Sequence, residues 1–143
     1  MHYETIFIDD DEMALCLQEM IWCNFAENKQ PYLFNRAQDA LQFLDSRTHE
    51  ISSYMILLDI NMPIMNGWEF LNSLETHPLR NSIQVVMVSS SVEKKDIERA
   101  LSIEMVKDFL MKPLTQQQLQ NLRDKESLSP FFSANFNQVD NNN

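Results

Sequence analysis

The sequence predicts an α/β fold in which a parallel sheet is covered by helices on both faces. Short apolar runs, typical of buried strands, alternate along the chain with segments whose apolar residues recur every three or four positions, as in amphipathic helices. This alternation is typical of strand–helix–strand units, whose crossovers are nearly always right-handed. We therefore predict a doubly wound sheet of five strands and five helices.

The boundaries of these elements follow from where the apolar runs and helical patterns begin and end. The predicted strands cover residues 5–9, 31–36, 54–60, 82–90 and 107–111. The predicted helices cover residues 12–28, 37–46, 68–77, 92–104 and 115–126. The first helix is expected to bury a stripe made of Ala14, Leu17, Ile21 and Phe25. Thr115, followed by Gln118 three residues later, predicts a capping box at the start of the last helix.

Length and composition predict one domain with a tail. The 143 residues are 44% apolar, which allows a real core, and we place the domain at residues 1–126. Residues 127–143 show no periodicity and end in polar repeats, so they are expected to be disordered or loosely docked. The phenylalanines of this tail are Phe131, Phe132 and Phe136, and they offer possible anchors on a partner.

Charge and cysteine content limit the partners and the compartment. The net charge of −10 argues against nucleic acid and anionic membranes, whose binding depends on lysine and arginine, and favours a divalent cation or a basic protein. The two cysteines, Cys16 and Cys23, lie in one predicted helix about 10 Å apart along its axis, too far for a disulfide, and are expected to be buried. No signal peptide or long apolar run is present, which predicts a cytoplasmic protein.

Polar side chains follow four of the five predicted strands. In an open doubly wound sheet of order 2-1-3-4-5, ligands bind outside the carboxyl ends of the strands, at the switch point in strand order between strands one and three. The residues expected there are Asp9, Asp10 and Asp11 after strand one, Asp59 and Asn61 after strand three, Ser89 after strand four and Lys112 after strand five. Carboxylates about 4 Å apart repel by roughly 1–4 kcal/mol, so this arrangement predicts a bound cation. Mg²⁺ fits best because it prefers carboxylate and phosphate oxygens.

Four motifs in this order resemble those of the response-regulator receiver domain, the phosphate-accepting module of two-component signalling. They are "IFIDDDE", "ILLDINMPIMNGWEF", "VVMVSSS" and "DFLMKP". The resemblance covers nearly the whole chain outside the tail and implies a flavodoxin-like fold. One departure is the segment "IEMVKDF", which lacks the glycine that the family often carries just ahead of strand five.

The resemblance also implies a role for each residue of the predicted site. Asp59 matches the aspartate that accepts the phosphoryl group, and Asp9, Asp10 and the Asn61 carbonyl would hold Mg²⁺ together with it. Ser89 matches the hydroxyl that moves to meet the phosphoryl group, and Lys112 the lysine that bonds a phosphoryl oxygen. Phe109 matches the aromatic switch position. Asp11 and Glu12 are expected to face solvent.

These roles describe a phosphorylation switch rather than a turnover enzyme. The resemblance implies that a histidine kinase or a histidine phosphotransfer protein supplies the phosphoryl group in an Mg²⁺-dependent reaction. The signal would be a conformational change of the surface formed by the fourth helix, the fifth strand and the fifth helix, which family partners commonly contact. We expect a stand-alone regulator acting through protein contacts on a downstream target that the sequence does not identify.

Two other functions remain open from the residues. Asp9 and Asp11 are spaced as in the Asp-x-Asp-x-Thr signature of haloacid-dehalogenase phosphatases, although Met13 occupies the threonine position. The other alternative is an adaptor that binds partners without being phosphorylated. Phosphoryl labelling by acetyl phosphate or a kinase that depends on Asp59 indicates a receiver. Phosphoryl labelling that depends on Asp9, with repeated turnover of phosphate esters, indicates a phosphatase. No response to beryllofluoride with Mg²⁺ indicates an adaptor.

Overall fold

A computed structural model describes residues 2–26, 30–91 and 93–133 of the chain. Its centre is a five-stranded sheet of order 2-1-3-4-5, and every neighbouring pair of strands is parallel. The predicted fold class, sheet order and flavodoxin-like architecture are therefore confirmed. Within the described ranges, no helix has both the length and the apolar character needed to cross a bilayer.

The elements lie close to their predicted positions. The strands are β1 (His2–Ile8), β2 (Tyr32–Phe34), β3 (Ser52–Asp59), β4 (Ile83–Ser89) and β5 (Val106–Met111). The helices are α1 (Glu12–Phe25), α2 (Ala37–Asp45), α3 (Gly67–Glu75), α4 (Lys94–Leu101) and α5 (Gln116–Arg123). Short 3₁₀ helices cover Arg80–Ser82 and Ser129–Phe132. The predicted capping box of Thr115 and Gln118 begins α5.

The sheet separates two cores because side chains alternate along its strands. Ile6 and Ile8 of β1 pack on the side of α2, α3 and α4, whereas Phe7 packs on the side of α1 and α5. The middle of β3 is buried on both faces, with Ile56 on one side and Leu57 on the other. This double burial explains why the central strands read as continuous apolar runs.

Helix α1 buries a different stripe from the one predicted. Its buried residues are Leu15, Gln18 and Trp22, whereas Leu17, a member of the predicted stripe, is half exposed. Apolar residues occupy both sides of this helix, so the three-to-four spacing alone was compatible with two orientations. The rotation also exposes Cys16, which was expected to be buried, while Cys23 is half buried.

The first part of the predicted tail is packed against the domain and is not loosely docked. Leu128, Phe131 and Phe132 are buried in the core between α1 and the sheet. The ring of Phe132 lies 5.0 Å from that of Trp22, and the ring of Phe131 lies 5.3 Å from that of Tyr3. The 3₁₀ turn that aims these side chains inward has no long-range periodicity, which is why the sequence pattern missed it. Residues 134–143, including Phe136, lie outside the described residues.

Candidate functional site

The carboxyl ends of the strands bring two acidic side chains and a lysine into direct contact. Asp9 follows β1, Asp59 ends β3 and Lys112 follows β5. The Lys112 Nζ lies 2.6 Å from Asp9 Oδ2 and 3.5 Å from Asp59 Oδ2. Asp9 and Asp59 are buried, at 1% and 5% exposure. The predicted convergence of these strand ends is therefore present in the structure.

Asp9 is held by groups from three elements. Its backbone N–H donates to the Phe34 carbonyl at the end of β2, at 3.1 Å. Its Oδ1 accepts the Asp11 backbone N–H at 2.9 Å, and its Oδ2 accepts the Gln18 Nε2 of α1 at 3.4 Å in addition to the Lys112 ammonium. Gln18 was not identified from the sequence, although a polar residue one turn after Leu15 on an otherwise apolar helix face is the signal that marks it.

Asp59 is in an unfavourable place for a negative charge. Burial raises the pKa of its carboxyl group to about 6, and the neighbouring Asp9 charge acts in the same direction. The Lys112 ammonium and the Asn61 backbone N–H, which donates to Asp59 Oδ1 at 3.4 Å, lower the pKa but do not cancel the rise. With a pKa of about 6, Asp59 is thus mostly ionised at neutral pH.

Lys112 is the positive counterpart of these acids. Burial alone lowers the pKa of its ammonium group, but the hydrogen bond to Asp9 and the charge of Asp59 outweigh burial and raise the pKa above its ordinary value. Its backbone is also fixed, because the Lys112 N–H donates to the Ser89 carbonyl at 2.9 Å. The Lys112 ammonium therefore stays charged at neutral pH, and its backbone position is fixed.

Three carboxylates of this edge are close enough to share one cation. Asp9, Asp10 and Asp59 each offer an oxygen, and these oxygens lie within 4.8 Å of one another. Neighbouring ligands of an octahedral Mg²⁺ are about 3 Å apart and opposite ones about 4 Å, so small side-chain movements or bridging waters fit these oxygens to the ion. Asp10 is exposed, which leaves the pocket open to solvent on that side. The donor set is therefore of the kind that magnesium prefers.

The remaining predicted residues of the site, Ser89, Asn61, Phe109 and Asp11, each have a defined contact in the structure. The Ser89 hydroxyl is buried and donates to the Ser91 carbonyl at 3.0 Å, while accepting the Ser91 N–H at 3.2 Å. Asn61 is exposed and reaches Asp59 through its backbone N–H. Phe109 is half buried in β5 and packs against the core that underlies α2, α3 and α4. Asp11 is exposed, as expected, and caps α1 by accepting the Met13 N–H at 2.9 Å.

Gly67, the chain's single glycine, allows the start of α3 to lie close to the end of β3. A Cβ atom at this position would lie 2.6 Å from the Asp59 carbonyl oxygen and 2.9 Å from the Ile60 Cα. The Gly67 N–H donates to the Ile60 carbonyl at 2.8 Å, and Asn66 caps the helix through a capping box with Glu69. Only glycine fits so close to the backbone of Asp59, and it thereby fixes the loop beside the pocket.

Comparison with known proteins identifies a family and several relatives. Residues 6–123 match the family model described as response regulator receiver domain. A two-component response regulator of rice, ORR1 of Oryza sativa subsp. japonica, is 32% identical over 90 residues. That match covers 62% of this chain but only 38% of the rice protein.

Solved structures share the whole fold. A response regulator receiver protein from Dyadobacter fermentans is 30% identical, with a TM-score of 0.76, and the match covers 92% of this chain and 99% of that one. A two-component response regulator from Cytophaga hutchinsonii is 27% identical, with a TM-score of 0.72, over 84% of this chain and 92% of that one.

Proposed function

Because this chain belongs to the response regulator receiver domain family, we propose that it accepts a phosphoryl group on Asp59 and passes on a signal through its surface. Receiver domains are phosphoacceptor signalling modules rather than turnover enzymes. The observation that carries the proposal is the buried Asp59 carboxylate with the Lys112 ammonium 3.5 Å away and two further acids beside it. The family match also favours this function over the haloacid-dehalogenase alternative that uses Asp9.

The proposed chemistry is transfer from a phosphohistidine. An Asp59 oxygen attacks the phosphorus, the P–N bond breaks, and the imidazole leaves with the bonding electron pair. The product is an acyl phosphate, which water hydrolyses to restore the carboxylate. A carboxylate is a weak nucleophile, so the reaction depends on in-line positioning and on neutralising the charge that gathers on the phosphoryl oxygens.

The residues of the pocket supply that neutralisation. The Lys112 ammonium lies 2.6 Å from Asp9 Oδ2. From this position it would also pair with an oxygen of a phosphoryl group carried by Asp59. Asp9, Asp10, Asp59 and the Asn61 carbonyl would hold Mg²⁺, which would supply positive charge to offset the charge of the carboxylates and of the phosphoryl group. Receiver domains in general bind Mg²⁺ at such an acidic pocket.

The switch that we propose begins at Ser89. Its hydroxyl now bonds the Ser91 backbone, and in the phosphorylated form it would turn to donate to a phosphoryl oxygen. This movement would free space that the half-buried Phe109 ring fills by turning inward. Both residues lie beside the surface formed by α4, β5 and α5, so a local packing change there alters what that surface binds.

Labelling with acetyl phosphate tests the phosphoacceptor directly. Wild-type protein is expected to become phosphorylated in the presence of Mg²⁺ and not in EDTA, and Asp59→Asn is expected to abolish labelling. Asp11→Asn is the matched control, because the exposed Asp11 side chain caps α1, asparagine keeps this cap, and the backbone N–H that Asp11 donates to Asp9 is unchanged. Labelling that persists in Asp59→Asn but is lost in Asp9→Asn, with repeated turnover of phosphate esters, would instead establish the phosphatase.

The adaptor alternative is tested by the conformational response. Trp68 follows Gly67 directly, and the Arg99 guanidinium of α4 lies 4.1 Å from the centre of its ring. Beryllofluoride with Mg²⁺ is expected to change tryptophan emission in the wild type and not in Trp68→Phe. No change in the wild type would favour an adaptor that works without phosphorylation.

The partners follow from the same chemistry. We expect a histidine kinase or histidine phosphotransfer protein as donor, a protein as downstream target, and a cytoplasmic location for this chain. Action as a stand-alone regulator stays a prediction. Phosphotransfer profiling against the kinases of one organism identifies the donor, and transfer from none of them would contradict this assignment.

A further inference from the structure

Gln18 places an amide inside an otherwise apolar stripe of α1. It is 4% exposed, and its neighbours on the inner side of the helix, Leu15 and Trp22, are 6% and 0% exposed. Burying an amide costs free energy unless the amide has a hydrogen-bond partner. An apolar side chain would fill this space without that cost, so the partner of the amide indicates what Gln18 does.

The partner of this amide is Asp9, which follows the carboxyl end of β1. Gln18 Nε2 lies 3.4 Å from Asp9 Oδ2, and both residues are buried. An ionised carboxylate accepts hydrogen bonds and donates none, so Gln18 must present its N–H group, and not its carbonyl, to Asp9. The contact therefore connects the inner side of α1 to the acidic pocket.

Asp9 Oδ2 is shared by two donors at different distances. The Lys112 ammonium lies 2.6 Å away, a short charge-assisted contact. The Gln18 amide, at 3.4 Å, is close to the outer limit of a hydrogen bond. The other oxygen of Asp9, Oδ1, accepts the Asp11 backbone N–H at 2.9 Å. Lys112 is thus the nearer partner of Oδ2 in this structure, and Gln18 is a second donor within reach.

A phosphoryl group on Asp59 changes the demand on Lys112. The ammonium lies 3.5 Å from Asp59 Oδ2, and in the proposed function it pairs with an oxygen of the phosphoryl group. As the ammonium moves toward that group, Asp9 Oδ2 loses its nearest donor. Asp9 is 1% exposed, so water has little access to replace the lost contact, and a buried carboxylate oxygen without a donor is costly.

The Gln18 amide is placed to offset that loss. A movement of about 0.5 Å would bring Nε2 from 3.4 Å to the usual distance of an N–H···O hydrogen bond. Small rotations about the side-chain bonds of glutamine produce such a movement without displacing α1. Because the amide is neutral, it would bond Asp9 without adding a charge to the pocket.

We propose that Gln18 is a positioning residue for phosphoryl transfer: its amide holds Asp9 Oδ2 when Lys112 leaves that oxygen for the phosphoryl group on Asp59. This role of Gln18 rests on the proposed phosphorylation of Asp59. Gln18 does not touch the phosphoryl group and acts through Asp9 and Lys112.

Beryllofluoride, which with Mg²⁺ stands in for the phosphoryl group on Asp59, tests this role without a chemical step. Gln18→Met keeps the length of the side chain and removes the donor. At saturating Mg²⁺ the variant chain is expected to bind beryllofluoride about tenfold more weakly than wild type, because one hydrogen bond to a charged group is lost. Its affinity for Mg²⁺ alone should stay within about twofold of wild type, because Lys112 still holds Asp9 in that state. Backbone amide NMR shifts measure both affinities.

The side-chain amide of Gln18 gives a direct signature in the wild-type protein. Its protons should move downfield when beryllofluoride is added to the Mg²⁺ form, because the hydrogen bond to Asp9 shortens. Mg²⁺ alone should move them little. Leu15→Met is the matched control, since it alters the same buried stripe and removes no donor, and both affinities should be unchanged. Far-UV circular dichroism establishes that the variants are folded.

Equal beryllofluoride affinity in Gln18→Met and wild type would overturn the role of Gln18 and leave that of Asp59 standing. An equal loss in Leu15→Met would also overturn it, because packing would then be the cause. So would an equal loss of affinity for Mg²⁺ alone, which indicates that Gln18 supports the metal site. If Gln18→Met does not fold, a wild-type Gln18 signal that stays in place on adding beryllofluoride overturns the proposal. Absent beryllofluoride binding in wild type would contradict the phosphorylation of Asp59 itself, and this role with it.

Discussion

At the scale of single residues, the Asp59 carboxylate combines burial with nearby negative charge. Its pKa in the folded protein is raised to about 6 from an ordinary value of 3.8. The folded state therefore holds this proton more tightly than the unfolded state does. Between about pH 4 and pH 6 the folded protein loses stability from this group as the pH rises, and above pH 6 the full penalty remains.

Asp59→Asn is therefore expected to stabilise the metal-free protein at neutral pH. The amide keeps the shape but removes the buried charge, and the gain should be about 1–2 kcal/mol. Urea unfolding in EDTA at pH 7.5 measures it. The difference between variant and wild type should shrink as the pH falls to about 4.5, where Asp59 is protonated. A difference that grows on acidification would show that the pKa is shifted in the opposite direction.

Ile64, in the loop beside the site, has an unusual backbone conformation. Its φ angle is 70°, in the left-handed region that β-branched residues avoid, and its side chain is 82% exposed. Because asparagine tolerates this region better, Ile64→Asn should raise the free energy of unfolding by about 0.5–1 kcal/mol. Thermal unfolding checks this. Ile51→Asn is the control, since Ile51 is 76% exposed without a positive φ, and an equal gain there would rule out backbone strain as the cause.

At the scale of whole elements, α1 and the 3₁₀ helix Ser129–Phe132 depend on each other. Trp22 of α1 is fully buried, and its ring lies 5.9 Å from that of Phe7 in β1 and 5.0 Å from that of Phe132. The 3₁₀ helix thus closes the core between α1 and the sheet. A domain ending at residue 126 would leave these aromatic surfaces exposed to water.

Phe132→Ala is expected to destabilise the protein by about 3 kcal/mol, the usual cost of removing a buried phenylalanine ring. Chemical denaturation followed by circular dichroism measures the loss. Leu101→Ala, at a residue 50% exposed on α4, should change stability by less than about 0.5 kcal/mol. A comparable small effect at Phe132 would mean that the C-terminal segment does not pack as the structure describes.

At the scale of the whole molecule, the charge distribution predicts linkage between magnesium and folding. The chain carries a net charge of −10, and Asp9, Asp10 and Asp59 converge only in the folded state. A cation that binds this cluster stabilises the fold, by about 1.4 kcal/mol at ten times its dissociation constant. The effect should therefore rise with the logarithm of the Mg²⁺ concentration.

Thermal unfolding across a Mg²⁺ titration measures this stabilisation, with KCl at equal ionic strength as the control for general screening. Asp59→Asn should lose most of the Mg²⁺ effect while keeping the response to KCl. If the two salts stabilise wild type equally, the acidic cluster does not hold a specific cation.

The sequence by itself determined the fold class, and the common strand order 2-1-3-4-5 of that class then predicted the convergence of Asp9, Asp59 and Lys112. These follow from local rules: apolar runs and helical spacing define the elements, and parallel strands place their carboxyl ends at one edge. The four motifs, through the family that they resemble, added the proposed roles of the site residues. The capping box at Thr115 was also predictable because it depends on two residues three positions apart.

Only the tertiary structure decided which side of α1 faces the core, how the C-terminal segment packs and what surrounds the carboxylates. Apolar residues lie on both sides of α1, so spacing alone does not distinguish them. Phe132 packs against the rings of Trp22 and Phe25, which are more than a hundred residues away in the chain. The raised pKa of Asp59 likewise depends on burial and on distances across strands. Such long-range contacts are absent from any local pattern.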